Sequence, residues 1–143
     1  MSKKGRGTEM FFLAPFIGWI ASGCLKFAIN FIRFGKEAKS RIGNGGFPST
    51  HTTVIATPVM LIGLREGFSS PVFGLGCAIL IIVIIDATGL RRAVGNHAAS
   101  LNRLDLTNRH RESMGHYKHE VIGGIILGAI VAWMMDIIWS MLQ

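Results

Sequence analysis

The sequence predicts an all-α fold. It is an integral membrane helical bundle of about four transmembrane helices, with an interfacial helix in the third connection. One membrane-embedded domain is expected over residues 1–143. Three observations carry this. Half of the chain is hydrophobic at 50%, and the mean hydropathy is +0.44. Only 16% of residues are charged, against about 25% in a typical soluble domain. The apolar residues also fall in long continuous runs, whereas a buried helix of a soluble domain shows a periodic apolar stripe.

The first run, about Phe11 to Ile32, is broken only by Lys26 and Asn30 near its end, where a long side chain can snorkel to the interface. No small-residue cleavage site follows Phe11 to Ile20, so this run is expected to be a retained helix and not a signal peptide. The second run, about Ser49 to Leu64, is short for a bilayer that needs roughly 20 residues, and Pro58 can kink it. The third, Pro71 to Leu90, carries a single charge, Asp86, and the fourth, Val121 to Leu142, carries only Asp136. Between the third and fourth lies the longest connection, whose Ala-rich stretch from Ala93 to Leu104 is the expected interfacial helix.

The formal net charge of +7 raises the question of nucleic acid. The cations nevertheless cluster between apolar runs, which favours anionic lipid heads or a phosphorylated substrate and excludes nucleic acid as the expected partner. Four crossings put the first and third connections on one face. That face holds Arg33, Lys36, Lys39, Arg41, Arg91, Arg92, Arg103, Arg109, Arg111 and Lys118, against Lys3, Lys4, Arg6 and Arg65 on the other. The positive-inside rule places the richer face in the cytoplasm, and the expected location is a bacterial inner membrane. Cys24 and Cys77 lie inside apolar runs and read as buried packing residues.

Two polar motifs open apolar runs on that cationic face. Pro48-Ser49-Thr50-His51 precedes the second, and Gly115-His116-Tyr117-Lys118-His119-Glu120 precedes the fourth. Both histidines thus sit near helix N-termini, which attract anions through free N–H groups and the helix dipole. Ser49 or Thr50 is suited to cap the second helix. His116 and Glu120 are four apart, placing a carboxylate beside an imidazole if the helix begins near His116. Such a partner fixes the tautomer and stabilises the cation formed on nucleophilic attack. Asp86, Arg91 and Arg92 end the third run on the same face, and guanidinium forks match phosphate oxygens. Asp86, costly in lipid, is expected to face a partner. A zinc reading of the five histidines is disfavoured because no helix carries a His-Glu-x-x-His pattern. No metal or cofactor is expected.

Together these elements resemble the superfamily of type 2 phosphatidic acid phosphatases and vanadium haloperoxidases, and most closely its divergent branch. The likeness runs through Leu25-Lys26, Gly45-Gly46-Phe47-Pro48-Ser49-Thr50-His51, Asp86-Ala87-Thr88-Gly89-Leu90-Arg91-Arg92, Leu101-Asn102 and Arg111-Glu112-Ser113-Met114-Gly115-His116. It implies hydrolysis of a lipid or polyprenyl phosphate or diphosphate through a phosphohistidine. His116 would be the nucleophile, Glu120 its orienting partner and His51 the acid that protonates the leaving oxygen. Arg91, Arg92, Lys26, Arg41, Ser49, Thr50 and Asp86 would bind substrate. Where the wider family has an arginine six residues before the nucleophile, this chain has His110 between Arg109 and Arg111. Lys26 and Arg33 keep the spacing of its first signature, but Phe34 replaces the proline. The alternative is a non-catalytic phospholipid-binding or scaffold protein that retains the phosphate pocket. Four helices enclose little volume, so a homodimer is expected, with Gly124 and Gly128 as the candidate seam.

Overall fold

In the computed structural model, residues 8–36, 46–104, 107 and 109–142 are described. Five α-helices account for most of them: α1 (Thr8–Phe34), α2 (Thr50–Glu66), α3 (Pro71–Ile85), α4 (Arg91–Leu104) and α5 (Lys118–Met141). No strand occurs among the described residues. The all-α membrane bundle is therefore the observed fold class.

Three stretches are long and apolar enough to cross a bilayer: Glu9–Phe34, Pro71–Leu104 and Lys118–Met141. The second predicted span differs. α2 has 17 residues, a rise of about 26 Å at 1.5 Å per residue, short of the ~30 Å hydrocarbon core. Its composition explains why it reads weakly as a span. α2 is the central helix, with α1, α3 and α5 all packed on it, and it presents Thr52, Thr53, Ala56 and Thr57 fully buried. Small and hydroxylic residues let neighbouring backbones approach closely. Each threonine hydroxyl is satisfied locally: Thr52 donates to Ser49 Oγ at 2.9 Å, Thr53 to the Ser49 carbonyl at 2.9 Å and Thr57 to the Thr53 carbonyl at 2.8 Å.

The tightest pair is α2 with α5. A Cβ on Gly124 would lie 2.7 Å from the Ser49 carbonyl oxygen, and one on Gly128 would lie 2.6 Å from Ala56 Cβ. The glycine stripe expected to form a dimer seam is thus used inside the subunit, against α2. The two helices run parallel. At one end the Ser49 N–H donates to the Glu120 carbonyl at 2.9 Å. At the other, Arg65 pairs with Asp136 and donates to Ser140 Oγ at 3.1 Å. Beneath lies a small core of Met10, Ala14, Leu61 and Ala132. Outward-facing Phe12, Trp19, Ile82, Ile85, Trp133 and Ile138 are exposed, as expected of a surface solvated by lipid.

The third run does not stop at Leu90. Ser70 caps α3 by accepting from Phe73 N–H at 3.1 Å, and Pro71 occupies its first turn. The helix then passes through a single π-helical turn, Asp86–Leu90, directly into α4. Ala93 to Leu104 is therefore helical, as expected, and continues from α3 through this turn. The Arg91 N–H reaches back five residues to the Asp86 carbonyl. In an α-helix, residues five apart point about 140° from each other at 3.6 per turn. The wider π turn brings Asp86 and Arg91 to the same side, and such turns are frequent at functional sites.

Candidate active site

Two backbone pins bring the motif histidines together. His51 is the second residue of α2, whose start is tied to α5 by the Ser49–Glu120 bond. His116 precedes α5, and its N–H donates to the Ala87 carbonyl of the π turn at 2.9 Å. Gly115 makes that approach feasible. Its φ of +84° is unfavourable for an L side chain, and a Cβ there would lie 2.5 Å from Arg92 Cγ and 2.7 Å from Arg92 N. The stretch before it is clamped to α4 by the buried Asn102. Its Nδ2 donates to the His110 carbonyl at 2.8 Å and Glu112 Oε1 at 2.7 Å, while its Oδ1 accepts from His110 N–H at 2.7 Å.

The two imidazoles stand 5.9 Å apart between centroids, edge to face at 78°. His116 is 6% exposed, and neither ring nitrogen has a hydrogen-bond partner among the described residues. Both histidines line a cavity of about 670 Å³ together with Lys26 and Trp19 of α1, Thr50, Arg91 and Arg111. Burial pushes the His116 imidazole below its ordinary range. The Glu120 carboxylate opposes this, while Lys26, His51 and Arg91 reinforce it. A neutral imidazole with a free lone pair, facing several cations, can attack an electrophilic anion such as a phosphoryl group.

Arg91 ties this cavity to the π turn. Its Nε donates to Asp86 Oδ2 at 2.6 Å, and its Nη1 lies 3.3 Å from His51 Nε2. Among the described residues no three His, Cys, Asp or Glu side chains converge closely enough to hold a metal ion.

A family profile described as the Divergent PAP2 family matches residues 8–131. The chain belongs to the divergent PAP2 family. It is also similar to the uncharacterized membrane protein YuiD of Bacillus subtilis (strain 168), with 32% identity over 81 residues. That match covers 56% of this chain and 51% of the relative, so it spans about half of the relative's length. No solved structure matches.

Within this family member, four residues expected to serve the site do something else. Glu120 does not bond His116. It is the third residue of α5, and its Oε2 accepts the Tyr117 N–H at 2.9 Å, satisfying an otherwise orphaned helix-start donor. It acts on His116 as a nearby charge. Arg92 does not line the cavity, because its guanidinium lies 4.8 Å from the centroid of the Tyr117 ring. Ser49 is fully buried and caps α2 by accepting from Thr52 N–H at 3.4 Å and Thr52 Oγ1 at 2.9 Å. Asp86, a carboxylate, would repel phosphate, and its contact is with Arg91. Thr50 does face the cavity, accepting from Ser22 Oγ at 3.0 Å. Arg41 lies outside the described residues. Trp19, Arg111 and Asn102 join the site only through tertiary structure. Arg111 flanks His110 in sequence, but its place on the cavity wall follows from the Asn102 clamp.

Proposed function

We propose that this protein is an integral-membrane phosphatase that hydrolyses a lipid or polyprenyl phosphate or diphosphate through a phosphohistidine. The observation that carries this is His116: a buried imidazole with neither nitrogen bonded, 5.9 Å from a second imidazole, on a cavity that also holds Lys26 and Arg91. Family membership supports the phosphatase kind.

The phosphoryl group binds between the two histidines, held by Arg91 and Lys26. The lone pair of His116 attacks phosphorus and the ester P–O bond breaks. The departing oxygen takes a proton from His51. Water then attacks the phosphorus of phosphohistidine and gives its proton to His51. The P–N bond breaks, inorganic phosphate leaves and His116 is restored. In the resting arrangement an Arg91 N–H points at His51 Nε2, which must be unprotonated to accept it. Arg91 therefore turns from His51 to the phosphate as substrate binds, and the freed nitrogen takes up from solvent the proton that it gives to the leaving oxygen.

The proposed location is a bacterial inner membrane, with the site at the cytoplasmic face. The relative's name and organism support the first assignment, and the cationic connections support the second. A substrate anchored in the bilayer accounts for a phosphate site at the mouths of apolar helices. The test is phosphate release from a panel of lipid phosphates by purified protein. Release by the wild type that is lost in a folded His116→Ala variant is expected, and release retained by that variant would refute the assignment. A second reading, a phospholipid-binding protein without turnover, is favoured by one observation: Glu120 is engaged at Tyr117 and does not orient His116. Binding of a lipid phosphate with no release from any member of the panel would select it.

A further inference from the structure

α1 and α3 both pack on α2, on different sides, with no extensive packing between them. The space left is a lateral cleft of about 500 Å³. Val54 and Ile55 of α2 line it along with Ile82 and Val83 of α3 and Trp19 of α1. At one end the lining becomes polar, with Thr50, His51, Asp86 and Arg91. Four of its residues, Trp19, Thr50, His51 and Arg91, also line the larger histidine cavity. The two spaces therefore meet at the imidazole assigned as the acid. The cleft borders the lipid-facing surface, since Ile82 on its wall is 66% exposed.

We infer that this cleft holds the hydrocarbon chain of the substrate. The inference rests on the proposed phosphatase reading and specifies the path of the leaving group. An amphiphile whose anionic head sits between His116 and His51 has its ester oxygen beside His51, and everything attached to that oxygen must leave the cavity from there. The cleft offers an apolar path that begins at His51 and opens sideways to the bilayer. Charge complementarity fixes the polarity: the anion lies in the larger cavity, which Lys26 and Arg91 line and Asp86 does not, and the chain lies along Val54, Ile55, Ile82 and Val83. A hydrocarbon chain there replaces lipid at little cost while its phosphate stays level with the helix starts. α2 is short and His51 opens it, so the head need not be drawn deep into the hydrocarbon region.

The test uses the full chain in nanodiscs and two non-hydrolysable probes, methylphosphonate and dodecylphosphonate, with affinities read by calorimetry. The readout is the ratio of the two affinities, and the same pair of probes is used throughout so that partitioning into lipid cancels between variants. Ile82→Trp, which fills the cleft from an exposed wall position, is expected to cut that ratio at least tenfold. Ile79→Trp, on the same helix but off the cleft, is expected to retain it. If Ile82→Trp keeps the full ratio, or if Ile20→Trp in the larger cavity abolishes it instead, the chain takes another path and the inference is overturned. Phosphate release from dodecyl phosphate is measured beside it. Absence of release with the binding pattern intact refutes the phosphatase reading and leaves the cleft assigned. Release with no sensitivity at Ile82 does the reverse.

Discussion

At the scale of single residues, the site depends on imidazole chemistry tuned by burial. A neutral His116 is the attacking form. Its depressed proton affinity, set first by burial and then by surrounding cations, means that the neutral form persists as pH falls through the ordinary imidazole value of about 6.5. An NMR titration of the His116 ring is expected to show a midpoint below that value, and a midpoint at or above it would contradict the electrostatic account. The arginines divide. Arg91 faces the cavity, so Arg91→Ala should weaken vanadate binding about tenfold or more, the loss of one charge-assisted contact worth roughly 1.5–3 kcal/mol. Arg92 lies over Tyr117, so Arg92→Ala should change vanadate affinity far less. Equal losses in both variants would restore the two-arginine clamp that the sequence suggests.

At the scale of elements, what was legible depended on whether a signal is local. The motif histidines could be placed at helix starts from Pro48-Ser49-Thr50-His51 and Gly115-His116 alone, because caps and glycine turns are short-range devices. The π turn at Asp86–Leu90 could not be read. One extra residue in a helical turn leaves hydropathy unchanged, yet it decides that Asp86 holds Arg91 and lets α3 continue into α4. The hydrogen-bond partner of Glu120 is hidden for a related reason. Spacing shows which residues are neighbours, not whether a carboxylate prefers an imidazole or an unsatisfied helix-start N–H. Gly115 tests the geometry directly. Gly115→Ala combines a positive φ with a Cβ 2.5 Å from Arg92 Cγ, so it should lower thermal stability by about 1–3 kcal/mol and impair turnover together. Unchanged stability and activity would show that the His116 turn is not held as described.

At the scale of the whole molecule, hydropathy revealed the bundle but not its interior. Long apolar runs identify helices that meet lipid, and α2 reads as the weakest of the four runs, short and rich in threonine, because a central helix facing protein on most sides has little need to be apolar. The same blindness applied to Gly124 and Gly128, whose spacing shows a close helix contact without naming the partner. That partner is α2, so Gly128→Leu should act as an overpacking mutation between α2 and α5. The expected result is a lowered melting temperature or misfolded protein, by calorimetry and size exclusion, and not the release of folded monomers. A stable, folded Gly128→Leu protein with altered oligomeric state would overturn the packing.

The central claim, that His116 is the nucleophile, is tested most directly by trapping the enzyme during turnover of a radiolabelled lipid phosphate and locating the label. The account predicts an acid-labile, alkali-stable phosphoryl group on His116, absent from His116→Ala. It also predicts that the group persists in His51→Ala with a substrate whose leaving group needs no proton. Turnover without label on His116, or label on another residue, would contradict it.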